Sequence, residues 1–197
     1  MCDRKDKTVD KGGIRCYNIN IGRERIGSFM DLLIFSDSHG NADAVQRVID
    51  RSVSRPDAIF FLGDGLRDLA WLDTRGAPIY AVRGNCDLYS AEGVPTELDM
   101  ELGGLHIFAS HGHLYSVKSG FSAMAAHAAG LGADIMLFGH THEAMTETFP
   151  AGSSLGGVLL TKPLCIINPG SVGSGYDATF ATLTLRSGQI IASIGEA

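Results

Sequence analysis

Five short apolar runs in this chain each end in a polar side chain able to hold a metal ion. LLIFS (32–36) runs into Asp37, Ser38 and His39, and AIFFLG (58–63) into Asp64. PIYAVRG (78–84) runs into Asn85, LHIFAS (105–110) into His111, and DIMLFG (134–139) into His140, Thr141 and His142. Short apolar runs bounded by glycine and turn residues read as buried strands. In α/β sheets, ligands collect where strands end and loops begin. The sequence therefore places two Asp, four His and one Asn along one sheet edge. That inventory suits two divalent ions, and two divalent ions suit cleavage of phosphate esters.

Bulk properties narrow the setting. The chain has 197 residues, 45% of them hydrophobic, enough for one domain with a full core. No apolar stretch approaches the ~18 residues needed to span a bilayer. The N-terminus MCDRKDKTVDK is too polar for a secretory signal, and the cysteines at 2, 16, 86 and 165 form no CxxC pair. A cytoplasmic protein is the expectation. Formal net charge is −6 with no Lys/Arg cluster, which argues against a nucleic-acid-binding module. A phosphate substrate stays compatible, because bound cations dominate their local field and neutral His and Asn ligands leave such a site net positive.

Residues 1–29 are polar and lack periodicity, so they read as a disordered extension, with an edge strand over about 14–21 as the alternative. Residues 30–197 read as a single domain. Strands are expected at 32–36, 58–62, 78–82 and 135–138, with a hairpin of 96–102 and 105–109 across Gly103 and Gly104. Helices are expected at 41–54, with Asn41 as N-cap, at 66–72 and at 121–130. Further strands are expected at 146–149, 157–161, 164–167, 178–185 and 189–193, with AGSSLGG (151–157) as a flexible loop. A β-α-β half followed by a β-rich half predicts two packed sheets with helices outside. The apolar β-rich half could also supply a homo-oligomer surface.

In extended backbone, residues i and i+2 face the same way, so Asp37 and His39 should meet one ion. His140 and His142 could each serve a different ion. Asp64 is the natural bridge, since a carboxylate can offer one oxygen to each cation. Gly63 and Gly84, just before ligands, allow close backbone approach.

The set DSHGN, GDG, GNCD, SHGH and GHTH resembles the signature of the calcineurin-like metallophosphoesterases. GNCD and INPGSV (167–172) resemble the small bacterial and archaeal phosphodiesterases often called YfcE-type. The resemblance runs from about residue 30 to the C-terminus. It implies an α/β fold, a four-layer α-β-β-α sandwich of two mixed sheets. It implies one ion on Asp37, His39, Asp64 and His142, and a second on Asp64, Asn85, His111 and His140. The implied activity is hydrolysis of a small-molecule phosphodiester through a dinuclear metal-activated hydroxide. Mn²⁺ is the first expectation; Fe²⁺, Ni²⁺, Zn²⁺ or Mg²⁺ also fit mixed N/O ligands. The alternatives are a phosphomonoesterase or nucleotidase, or a non-catalytic protein-binding scaffold on the same fold. The scaffold relative has a degraded metal site, whereas here the whole ligand set is present.

One position departs from the superfamily. Its usual residue after the metal-binding Asn is His, thought to protonate the leaving group; here it is Cys86. A thiol, with reference pKa ~8.5, is a weak substitute for imidazolium. Around the site, His113 could face substrate or support a ligand, and Arg83 could clamp a phosphate. Asp68 and Asp87 could orient ligating histidines, or else face solvent. Asn168 and Ser171 should form a tight loop near the metals. His106 and His127 read as structural.

Overall fold

The structure, a computed structural model, describes residues 8–9, 15–20, 29–52, 54–88, 92–186 and 189–197. Its elements are β1 (Thr8–Val9), β2 (Arg15–Asn20), β3 (Met30–Phe35), α1 (Ala42–Arg51), β4 (Ala58–Phe61), β5 (Ile79–Ala81), β6 (Glu97–Leu102), β7 (Leu105–Ser110), α2 (Ser122–Leu131), β8 (Ile135–Leu137), β9 (Met145–Phe149), β10 (Ser154–Leu155), β11 (Val158–Leu159), β12 (Leu164–Asn168), β13 (Thr179–Arg186) and β14 (Gln189–Glu196). One sheet has the order β1-β2-β14-β13-β3-β4-β5, the other β6-β7-β8-β12-β9.

Strand alternation builds the layers. On β3, Leu32 and Ile34 face the second sheet, meeting Ile107, Ile135 and Ile167, while Leu33 and Phe35 turn outward onto Val45, Val48 and Ile49 of α1. On the second sheet, Phe108, Met136 and Ile166 face outward onto Met124, Ala125 and Ala128 of α2. The result is the expected four-layer α-β-β-α sandwich of two mixed sheets. Among the described residues no helix is long and apolar enough to cross a membrane.

Local signals behave as their chemistry requires. Asn41 Oδ1 accepts the Ala44 N–H at 3.2 Å and starts α1. Gly103 and Gly104 both have positive φ, 59° and 78°, and close the β6–β7 hairpin with Leu102 opposite Leu105. The expected helix at 66–72 is a 3-10 helix, Leu66–Trp71. The expected strand at 157–161 shrinks to β11, and part of the expected 151–157 loop is β10, the two pairing as a small hairpin.

The N-terminal expectation divides. β2 pairs antiparallel with β14, Cys16 opposite Ser193, and with β1 on its other side, so a strand lies within the stretch where the alternative expects one. Its backbone takes up hydrogen bonds that β14 would otherwise leave open. The remainder of the 1–29 expectation lies largely outside the described residues.

Topology positions the candidate ligands. β3, β4 and β5 are parallel neighbours in one sheet, and β7 and β8 are parallel neighbours in the other. Their C-terminal ends carry Asp37 and His39, Asp64, Asn85, His111, and His140 and His142.

Candidate metal centre

The two sheet edges are tied together at the ligands themselves. His111 is fully buried and its Nδ1 lies 2.6 Å from the Leu62 carbonyl of the opposite sheet. A carbonyl only accepts, so Nδ1 carries a proton, and Nε2 is the nitrogen that holds a second proton toward Asp64 or, once that proton leaves, offers a lone pair. The His140 backbone N–H donates to Asp37 Oδ2 at 3.0 Å, again across the sheets.

Two groups of ligand atoms form around these ties. In the first, His142 Nε2 lies 3.1 Å from Asp37 Oδ1 and 3.3 Å from His39 Nε2. In the second, His111 Nε2 lies 3.4 Å from Asp64 Oδ2 and 3.2 Å from His140 Nδ1. Asp64 belongs also to a third group with His39 and Cys86, all within 4.8 Å of one another. Asp64 thus stands between the Asp37 side and the His111 side. Asn85 follows Gly84 on the same rim, exposed, its Nδ2 donating to Cys86 Sγ at 3.3 Å.

The backbone reaches this arrangement by a route other than the pleat expected for Asp37 and His39. Both lie beyond the end of β3 with positive φ, 56° and 48°. Asp64, His140 and His142 also have positive φ, 59°, 68° and 62°. Left-handed backbone is costly for residues with a Cβ and collects at functional sites. Only Arg75 and Ser116 share it among the other described non-glycine residues. Left-handed turns, rather than strand alternation, aim these side chains.

Glycines let the loops interlock. A Cβ on Gly63 would meet Gly84 N at 2.6 Å, so the close approach is between two ligand loops. A Cβ on Gly84 would lie 2.1 Å from Asp64 Oδ1 and 2.7 Å from Asp64 N. Gly84→Ala is therefore expected to displace Asp64 and cost about 10²-fold in hydrolysis, as misplacing a reacting group by ~1 Å does. Steady-state kinetics beside Gly130→Ala, where the added Cβ meets open space on α2, checks this.

Two expected loop carboxylates prove to be buried braces. Asp87 is 3% exposed and accepts four backbone N–H groups, from Asp64 (2.7 Å), Gly84 (2.8 Å), Gly65 and Leu66 (both 2.9 Å). Asp68 accepts the Ser38 hydroxyl and the Gly40 N–H. They hold ligand loops by their backbone, rather than orienting histidines or facing solvent. Asn168 donates to Gly139 O and Thr141 Oγ1, and Ser171 donates to Asp37 O. Both of these also brace ligand loops instead of reaching ligand atoms. His106 lies between the Gly132 carbonyl and Asp99, and His127 packs on Phe108 and Tyr115, as structural residues do.

Electrostatics follow from burial and the ligand contacts. Burial alone would raise the Asp64 pKa, but hydrogen bonds from His111 and the Cys86 N–H, with the His111 charge, hold it far below the usual carboxylate value. Burial lowers His111, and Asp64 and Asp37 together outweigh it, leaving His111 raised. Burial and the His111 charge depress His140 to about 4. Burial, with the same charge and that of Arg83, lowers His113. Burial and Asp64 push the Cys86 thiol up to about 11, so it stays protonated at neutral pH.

The donor set fits divalent metal ions. Asp37 and Asp64 have only histidines as ion-pair partners among the described residues, and imidazole nitrogens converge within 3.3 Å of one another without an intervening acceptor. Nitrogen and carboxylate donors aimed at a common point are what such cations need.

A two-sheet sandwich with this donor set at its strand ends suits metal-assisted cleavage of phosphate esters. The family model of the calcineurin-like phosphoesterase superfamily domain matches residues 30–188. The chain is 35% identical over 146 residues to the probable metallophosphoesterase YsnB of Bacillus subtilis (strain 168), covering 73% of this chain and 75% of that one. It is 30% identical to a conserved uncharacterized protein (predicted phosphoesterase) of Streptococcus pneumoniae TIGR4, with TM-score 0.57 over 81% of this chain and 85% of that one. Wild-type Vps29 of Entamoeba histolytica, complexed with Zn²⁺, shares the fold at 22% identity and TM-score 0.63, over 83% and 91% of the two chains. The chain belongs to the calcineurin-like phosphoesterase superfamily.

Proposed function

We propose that this protein hydrolyses small-molecule phosphodiesters with two divalent cations, Mn²⁺ foremost. Asp37, His39, Asp64 and His142 would hold one; Asp64, Asn85, His111 and His140 would hold the other. The observation that carries this reading is the membership of Asp64 in ligand groups on both sides of the site. When bound, such cations supply Lewis-acid charge and an activated water.

The chain's own residues prepare for that chemistry. The Leu62 carbonyl holds a proton on His111 Nδ1, so that Nε2, which faces Asp64, is the nitrogen a cation would take. Asp87 and Asp68 set the loops that carry Asp64 and His39. Left-handed backbone at five of the ligands keeps their side chains converging before any substrate arrives. Cys86, grouped with His39 and Asp64, would offer a leaving group only a weakly acidic S–H. A diester with a good leaving group needs little help there, so kcat/KM should fall steeply as leaving-group pKa rises; a flat dependence across aryl diesters would contradict this. The Vps29 likeness supports the fold alone. The complete ligand set argues against a purely scaffolding role.

The reading is tested by elemental analysis of protein purified without chelator, together with parallel assays on aryl mono- and diesters across added Mn²⁺, Fe²⁺, Ni²⁺, Zn²⁺ and Mg²⁺. Diester hydrolysis that chelation removes and Mn²⁺ restores is expected. Faster turnover of monoesters would shift the assignment to a phosphomonoesterase, and a metal-free inert protein would overturn it.

A further inference from the structure

We propose that His113 is a catalytic residue of this site, donating a hydrogen bond from Nε2–H to an oxygen of the scissile phosphate. The proposal rests on the phosphodiesterase reading above and adds a substrate contact to it.

The place of the ring is the first observation. Gly112 has φ 99° and begins the 3-10 turn His113–Tyr115, just past the end of β7 at Ser110. The His113 ring lies 5.4 Å from the His111 ring and 6.2 Å from the His140 ring, centroid to centroid. It therefore flanks both histidines on the Asp64 side of the site.

The second observation fixes the tautomer. His113 Nδ1 is buried and has no hydrogen-bond partner among the described residues. A proton on that nitrogen would be a buried donor with no acceptor, which costs more than an unused lone pair. The proton of the neutral ring therefore sits on Nε2. The residue is partly exposed while Nδ1 is not, so its accessible surface lies away from Nδ1. An N–H beside the reacting centre, preset by packing, strengthens as negative charge develops on phosphate oxygens.

The contact also answers the weakness at Cys86, whose neutral S–H is a poor donor. Arg83 supplies positive charge near the same ring, and no salt bridge to a carboxylate is found for it among the described residues.

Three variants test the proposal against a merely structural role. His113→Gln keeps an N–H near the Nε2 position, His113→Asn moves it to the Nδ1 position, and His113→Leu removes it at similar volume. With Mn²⁺-loaded protein and an aryl phosphodiester, Leu and Asn should lower kcat by about 10²-fold with little change in KM, and Gln should recover most of it. Metal content and Tm should match wild type in all three. Separately, long-range ¹H–¹⁵N spectra of metal-free protein should show the His113 ring as the neutral Nε2–H tautomer. Unchanged kcat in His113→Leu, loss of metal in that variant, or an Nδ1–H tautomer would each overturn the proposal. Wild-type protein inert toward diesters would overturn the parent reading and this one together, a result distinct from active wild type with an unaffected Leu variant.

Discussion

Asp87→Ala should destabilise the protein by about 3–5 kcal/mol and abolish metal binding, although Asp87 is not among the candidate ligands. Its carboxylate receives the backbone N–H groups of Asp64, Gly65, Leu66 and Gly84 at 2.7–2.9 Å. A hydrogen bond to a charged acceptor contributes about 1.5–3 kcal/mol, and each buried donor left unpaired costs about 1–3 kcal/mol. The four effects are not additive, because the loops will relax toward water, so the net stays within the range of severe single mutations. Relaxation is itself the functional damage, since the same backbone carries Asp64. Asp87→Asn should be nearly as harmful: its amide places an NH₂ against N–H groups. Urea unfolding and elemental analysis on the two variants measure both effects. Wild-type stability with full metal content in Asp87→Ala would show that the brace contributes nothing.

Asp64→Asn separates charge from shape. The amide oxygen can still accept the Cys86 N–H, which Asp64 Oδ1 accepts at 2.8 Å, so the fold should survive. What is lost is the charge that meets His39 in one group and His111 and His140 in another, and hydrolysis should fall by at least about 10³-fold. His111 offers an independent reading of the same change. Burial lowers its pKa and the hydrogen bond to Asp64 raises it; an adjacent negative charge favours the protonated ring. Removing that charge in metal-free protein should move the His111 pKa downward, as followed by NMR titration. An Asp64→Asn variant with near wild-type turnover would remove the shared carboxylate from the account.

Much of this site was legible because each apolar run stops where its ligand begins. Strand ends at Phe35, Phe61, Ala81, Ser110 and Leu137 fall within a few residues of Asp37, Asp64, Asn85, His111 and His140. The hairpin at Gly103 and Gly104 and the cap at Asn41 were readable for the same reason: their chemistry is local. The backbone route to the ligands was not. Alternation applies only within a strand, and Asp37 and His39 lie past one, in left-handed turns that no periodicity encodes. The roles of Asp87, Asp68, Asn168 and Ser171 were equally hidden, because their partners lie mostly on loops distant in sequence. A turn-forming Asp looks the same in sequence whether it faces water or four amides. The N-terminal strand was obscured because β2, between β1 and β14, is placed by backbone partners more than by an apolar pattern.

The central claim is that these side chains hold two metal ions together. Anomalous diffraction at the manganese edge, from crystals grown with Mn²⁺, tests it most directly. Two peaks are predicted, one among Asp37, His39, Asp64 and His142 and one among Asp64, Asn85, His111 and His140, with Asp64 touching both. No peak at these residues, or a single ion that leaves either His39 or His140 uncoordinated, would contradict it.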